Sequence, residues 1–129
     1  MKLSQKTVRD TAVVEISGKM IGGPDATKLQ AIIRSIIDGG GKTVVVNLRR
    51  TSWANSLGIG MLIGAYTSMR NAGGNLALAH VADRINDILA ITQLALIFKE
   101  FDTVDEAIDY LIENPEGDTN LRTRGVAGG

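Results

Sequence analysis

The chain has 129 residues, with 14 Lys plus Arg balanced by 14 Asp plus Glu, a single histidine and no cysteine. That length suits one domain able to bury a proper core, and 44% hydrophobic residues with only 4% aromatics make the core aliphatic. Charge balance leaves no net field to draw the chain to nucleic acid, and the lack of cysteine excludes disulfides, thiol nucleophiles and cysteine metal sites.

Lys2 to Arg9 and Thr11 to Ser17 alternate apolar and polar residues and predict a hairpin with a tight turn near Asp10. No apolar run approaches the length of a membrane span, so the expectation is a cytoplasmic protein without membrane insertion. Gly22-Gly23-Pro24-Asp25 breaks the chain. A helix then runs to about Asp38, burying Leu29, Ile32, Ile33, Ile36 and Ile37, and Gly39-Gly40-Gly41 ends it. Gly41-Lys42-Thr43 resembles the tail of a phosphate-binding P-loop, but the first glycine of that motif would fall on Ile36, and the helix precedes the strand instead of following it. The P-loop is therefore rejected.

Val44-Val45-Val46 followed by Leu48 is a continuous apolar run, which predicts a strand covered on both faces. Arg49 to Ala54 reads as a turn. From Leu57 to Met69 apolar residues recur with helical spacing, so Ser56 falls at the N-cap or in the first turn. Exposed backbone amides there favour negative charge, and a phosphate on Ser56 would be held by them at little cost to the fold. The plainer alternative is that Ser56 only caps the helix. Gly58, Gly60 and Gly64 are spaced one residue too long for a dinucleotide fingerprint, and Gly60 and Gly64 are expected to let the helix lie close to the sheet.

Asn71-Ala72-Gly73-Gly74 closes this helix, and Asn75 to Ala79 forms a strand parallel to its predecessor. His80 is expected at the strand's end, near the Ser56 loop. A third helix from Ala82 presents Ile85, Ile88, Leu89 and Ile91, and Ile97 to Phe101 makes a short last strand. Thr103-Val104-Asp105-Glu106 is a capping box for a final helix with the stripe Ala107, Ile108, Leu111 and Ile112, stopped by Pro115. The domain is placed at 1–114, with 115–129 a disordered polar tail.

The element order, the junction Val44-Val45-Val46-Asn47-Leu48 to Asn55-Ser56-Leu57-Gly58-Ile59-Gly60, and Asn71-Ala72-Gly73-Gly74-Asn75-Leu76 resemble the STAS domain. That module is shared by bacterial anti-sigma factor antagonists and the cytoplasmic ends of sulfate transporters. The resemblance implies an α/β STAS fold: a mixed, mainly parallel sheet, about four helices largely on one face, and an N-terminal hairpin at the edge. In antagonists of this family the helix opens with an acid followed by a serine that a kinase, itself the anti-sigma factor, phosphorylates, and a phosphatase resets it. That serine maps onto Ser56, while the acid is Asn55 here, which keeps hydrogen-bonding ability but loses the charge.

The resemblance thus implies a partner-switching anti-sigma factor antagonist needing no cofactor, and the lack of a heptad or long apolar edge makes a monomer the expectation when free. Its partner-binding patch is expected at Trp53, Ala54, Asn55, Leu57, Gly58 and Ile59, flanked by Met20, Ile21, Gly22 and Asp25 and by His80 and Arg84. Two alternatives stand beside it: a non-switching STAS scaffold or transport-ATPase-associated subunit, and a small-ligand or nucleotide-binding module. An enzyme is not expected, since no nucleophile–base constellation is readable.

Overall fold

The computed structural model describes residues 1–91 and 97–117. Strands β1 (Lys2–Val8) and β2 (Thr11–Met20) form the expected antiparallel hairpin at the sheet's edge. Its two-residue turn places Arg9 and Asp10 at φ 49° and 64°, the left-handed pair that matches the twist of hairpin strands. Helix α1 (Pro24–Asp38), strand β3 (Thr43–Asn47), strand β4 (Thr51–Ala54), helix α2 (Ser56–Asn71) and strand β5 (Asn75–Ala79) follow. Helix α3 (Asp83–Ile91), strand β6 (Glu100–Phe101) and helix α4 (Val104–Glu113) complete the regular elements among the described residues.

The sheet runs β1-β2-β3-β5-β6, and every pairing beyond the hairpin is parallel. The central valines divide between two cores. Val44 and Val46 pack with α1, α2 and α3 through Leu29, Ile33, Leu62, Ile85 and Leu89. Val45 turns to the opposite face, where Val13 and Ala77 meet Ala107, Ile108 and Leu111 of α4. Three helices on one face and one on the other explain why β3 and β5 read as unbroken apolar runs: a strand buried on both sides has no polar face to alternate with. Arg9 ties the hairpin to α4, its Nη1 donating to Asp109 at 2.8 Å and its Nη2 to the Asp105 carbonyl at 3.2 Å.

Three expectations need correction. The span from Arg49 to Ala54 is not only a turn, because β4 occupies most of it and pairs in parallel with β2. The pairing requires β2 to bend at Gly18 (φ 90°), where the register shifts; residues before the bend pair with β3 and those after it with β4. The last strand is two residues long, with Ile97 exposed and Phe98 buried ahead of it. Ile112 points to solvent, since the stripe of α4 closes with Leu111. The side chain of Ile91 and residues 118–129 of the expected tail lie outside the described set. Glu116 and Gly117 are docked, the Glu116 carbonyl accepting from Arg70 Nη1 at 2.8 Å.

The α4 face should be essential to stability. Ile108→Ala removes a fully buried side chain and should cost about 2–5 kcal/mol, read as a lower midpoint in urea denaturation followed by circular dichroism.

Candidate phosphorylation and docking site

The end of β2, strand β4 and the first turn of α2 meet at one point. Asn55 donates its backbone N–H to the Met20 carbonyl at 3.2 Å. Gly58 packs against the same carbonyl so tightly that a Cβ there would collide with the Met20 oxygen. Only glycine fits. The loop after β2 then crosses the helix start, with Gly22 at φ 86° lying against Leu57. Strand β4 is secured by Thr51, whose hydroxyl donates to the Ile16 carbonyl at 2.8 Å.

Asn55, not Ser56, is the N-cap of α2. Its Oδ1 accepts from the Gly58 amide at 2.8 Å, and its backbone is extended (φ −107°, ψ −177°). Ser56 is the first helical residue and is exposed. The reading of Ser56 as a plain cap is therefore replaced: its hydroxyl holds no hydrogen bond among the described residues. The Ser56 and Leu57 amides, in the first turn, lie beyond reach of intrahelical acceptors. Their dipoles and the free hydroxyl share one solvent-facing corner. An aspartate at position 55 would cap this helix as well as asparagine does.

Around that corner Ile21, Trp53 and Leu57 are 45%, 44% and 66% exposed, large apolar groups left outside the core. Arg84 joins them by donating from Nη1 to the Ser52 carbonyl at 2.9 Å. Several expected patch residues are instead turned inward. Met20, Ala54 and Ile59 are fully buried, and Gly22 and Gly58 are buried backbone contacts, so these five position the patch and offer no side chain to a partner. Asp25 lies 3.9 Å from the Met1 amino group.

His80 sits just beyond β5 at φ 56°, its backbone N–H donating to the Phe101 carbonyl at 3.0 Å. It lines a polar pocket with Asp83, Asn86, Glu100 and Asp102, and Ser56 and Trp53 are not in that lining. Burial raises the Glu100 carboxyl above its ordinary value. With the Asn86 amide oriented to satisfy both groups, its nitrogen lies 3.2 and 3.3 Å from the two Glu100 oxygens.

Gly60 and Gly64 do not approach the sheet as expected. They line an open groove of about 630 Å³ between α1 and α2, beside Ala26, Gln30 and Arg34, while the close approach to the sheet belongs to Gly58. The residue that sequence reasoning missed is Lys19, which pairs in register with Trp53. Its proximity depends on β4, whose four residues carry no alternating signal.

The sequence profile of the STAS domain matches residues 2–107. This chain belongs to the STAS domain family. A sequence relative from Thermotoga neapolitana, named "Putative anti-sigma factor antagonist TM1081 homolog", is 26% identical over 78 residues, covering 60% of this chain and 69% of the relative. Among solved structures, the anti-sigma factor antagonist SpoIIAA in its unphosphorylated form has a TM-score of 0.66 at 22% identity, covering 85% of this STAS chain and 97% of SpoIIAA. The phosphorylated form of SpoIIAA, from Bacillus, superposes at 0.65 with 21% identity over 85% of this chain and 99% of that one. A sulfate transporter family protein from Wolinella succinogenes reaches 0.71 at 23% identity, over 84% and 93% of the two chains. The six-stranded mixed sheet and, among the described residues, four helices are the STAS fold.

Asn55→Asp should leave thermal stability within a few tenths of a kcal/mol of wild type, whereas Asn55→Ala should cost about 1 kcal/mol, both measured by calorimetry. For Glu100, a raised folded pKa means the charged form is penalised in the native state, so this contribution to stability falls as pH rises through the folded value. Glu100→Gln should therefore be more stable than wild type at neutral pH, with the gain vanishing in acid below the unfolded carboxyl range, as read by denaturation at several pH values.

Proposed function

We propose that this STAS domain is a cytoplasmic anti-sigma factor antagonist that acts by binding, not by catalysis, and is switched by phosphorylation of Ser56. The observation that carries the reading is the exposed Ser56 hydroxyl, left free because Asn55 takes the cap, next in the chain to the exposed Leu57 and three residues after the exposed Trp53. Unmodified, the face binds an anti-sigma factor that is also a serine kinase, and a phosphatase restores it after modification.

The physics of the switch is local. A phosphate adds about −1.5 to −2 charges at neutral pH, and the first-turn amides and helix dipole of α2 stabilise it on the domain itself. A partner that docks over Trp53 and Leu57 must then desolvate that charge or stay away. The fold has no need to change, since Ser56 lies outside both cores. Asn55 leaves the phosphate without a neighbouring carboxylate at the cap, which lowers the cost of modification within this domain.

A second reading is favoured by the likeness to the sulfate transporter family protein together with the missing acid at position 55: a STAS module used as a fixed docking scaffold or transport-associated subunit, with Ser56 unmodified.

Intact-mass measurement of the protein from its native host, with site mapping, should find one phosphate on Ser56. In binding assays with the partner retained, Ser56→Ala should bind like the unmodified protein and Ser56→Asp at least tenfold more weakly, on the order of the charge effects expected at an apolar interface. Equal binding by both variants, with no phosphate under any growth condition, would return the domain to the scaffold reading.

A further inference from the structure

The surface formed by the end of β2, strand β4 and the start of α3 has a distinct charge character. Lys19, Ile21, Ser52, Trp53 and Arg84 line a single cavity of about 520 Å³. Ile21 and Trp53 supply its apolar surface, and a cation stands with each element: Lys19 on β2 opposite Trp53 in the parallel register, and Arg84 on α3 held to the Ser52 carbonyl. Among the described residues neither cation is paired with a carboxylate, the ion pairs being those of Met1 with Asp25, Arg9 with Asp105 and Asp109, and Arg50 with Glu15. Asp83, Glu100 and Asp102 line the separate pocket with His80, and Asp87, three residues after Arg84 on α3, is exposed and lines neither that pocket nor this cavity.

An apolar surface rimmed by two unpaired cations is complementary to an apolar side chain flanked by carboxylates. Resting on the docking role given above, we propose that the protein partner is acidic at this contact: it seats an apolar side chain against Ile21 and Trp53 and brings carboxylates to Lys19 and Arg84. Arg84 is prepared for this, since the bond to Ser52 holds its guanidinium in place before binding, which reduces the side-chain entropy lost on contact. The proposal also gives the modification a sharper role. A phosphate on Ser56 has the same sign as the partner's acids, so it opposes their approach in addition to imposing its own desolvation.

The test uses the partner retained from native-host lysate on immobilised Ser56→Ala protein, then purified and measured against full-length variants by surface plasmon resonance. Lys19→Glu should slow association about tenfold at low ionic strength, and the difference should shrink severalfold in high salt, as steering is screened. Lys19→Gln should fall between Lys19→Glu and wild type, while Lys6→Glu on the outer strand should leave association unchanged. Trp53→Ala should act instead on dissociation. Association by Lys19→Glu as fast as wild type, or wild-type association insensitive to salt, would overturn the acidic-partner inference while leaving the docking reading intact. Failure of Ser56→Ala to retain any partner would overturn the docking reading and this inference with it, and equal retention by Ser56→Asp would overturn the switch alone.

Discussion

The approach of Gly58 to the Met20 carbonyl determines much of this structure. A helix can start that close to a strand end only if its third residue lacks a side chain. Once it does, the Asn55 amide reaches the same carbonyl, and the cap that Asn55 provides sets the direction of α2. Ser56 and Leu57 are then left on the outer side of the first turn, while Ile59 and Leu62 enter the core. The bend of β2 at Gly18 serves the same junction from the other side, bringing Met20 beneath the helix and freeing β2 to pair with β4.

This arrangement separates the residues that build the corner from those that face outward. Met20, Ala54, Gly58 and Ile59 are interior parts, and Ile21, Trp53, Ser56 and Leu57 are surface parts, although the two sets are interleaved in sequence. The core beneath does not depend on the outward set. A charge added to Ser56 therefore acts on whatever approaches the corner and leaves the valines of β3 and their two sets of neighbours as they are. Changes to the outward set are thereby uncoupled from folding, as the proposed switch requires.

The features legible in the sequence were those with local physical signatures. Pro24 and the glycines after Asp38 bounded α1, Thr103 and Glu106 marked the start of α4, and the unbroken valines of β3 reported a strand covered on both sides. The features that were not legible depended on long-range contacts. Strand β4 spans four residues with buried ends and an exposed middle, a pattern without period two. Gly60 and Gly64 looked like packing glycines, yet only the placement of α1 beside α2 shows that they line a groove. The cap of α2 was ambiguous because asparagine and serine are comparably good in that role, and the Asn55 bond to Gly58 decides between them. Lys19 could not have been found without the pairing of β2 with β4.

The docking of Glu116 onto Arg70 has a practical meaning for how the domain can be attached to other things. Arg70 is one residue from the C-terminal end of a 16-residue helix, so the chain at 116–117 is held beside a residue about 21 Å along α2 from Ser56. A label placed at Glu116 itself would therefore sit at the opposite end of α2 from the corner bearing Leu57. A probe fixed at that point would report on the domain without crowding the corner that carries Ser56 and Leu57.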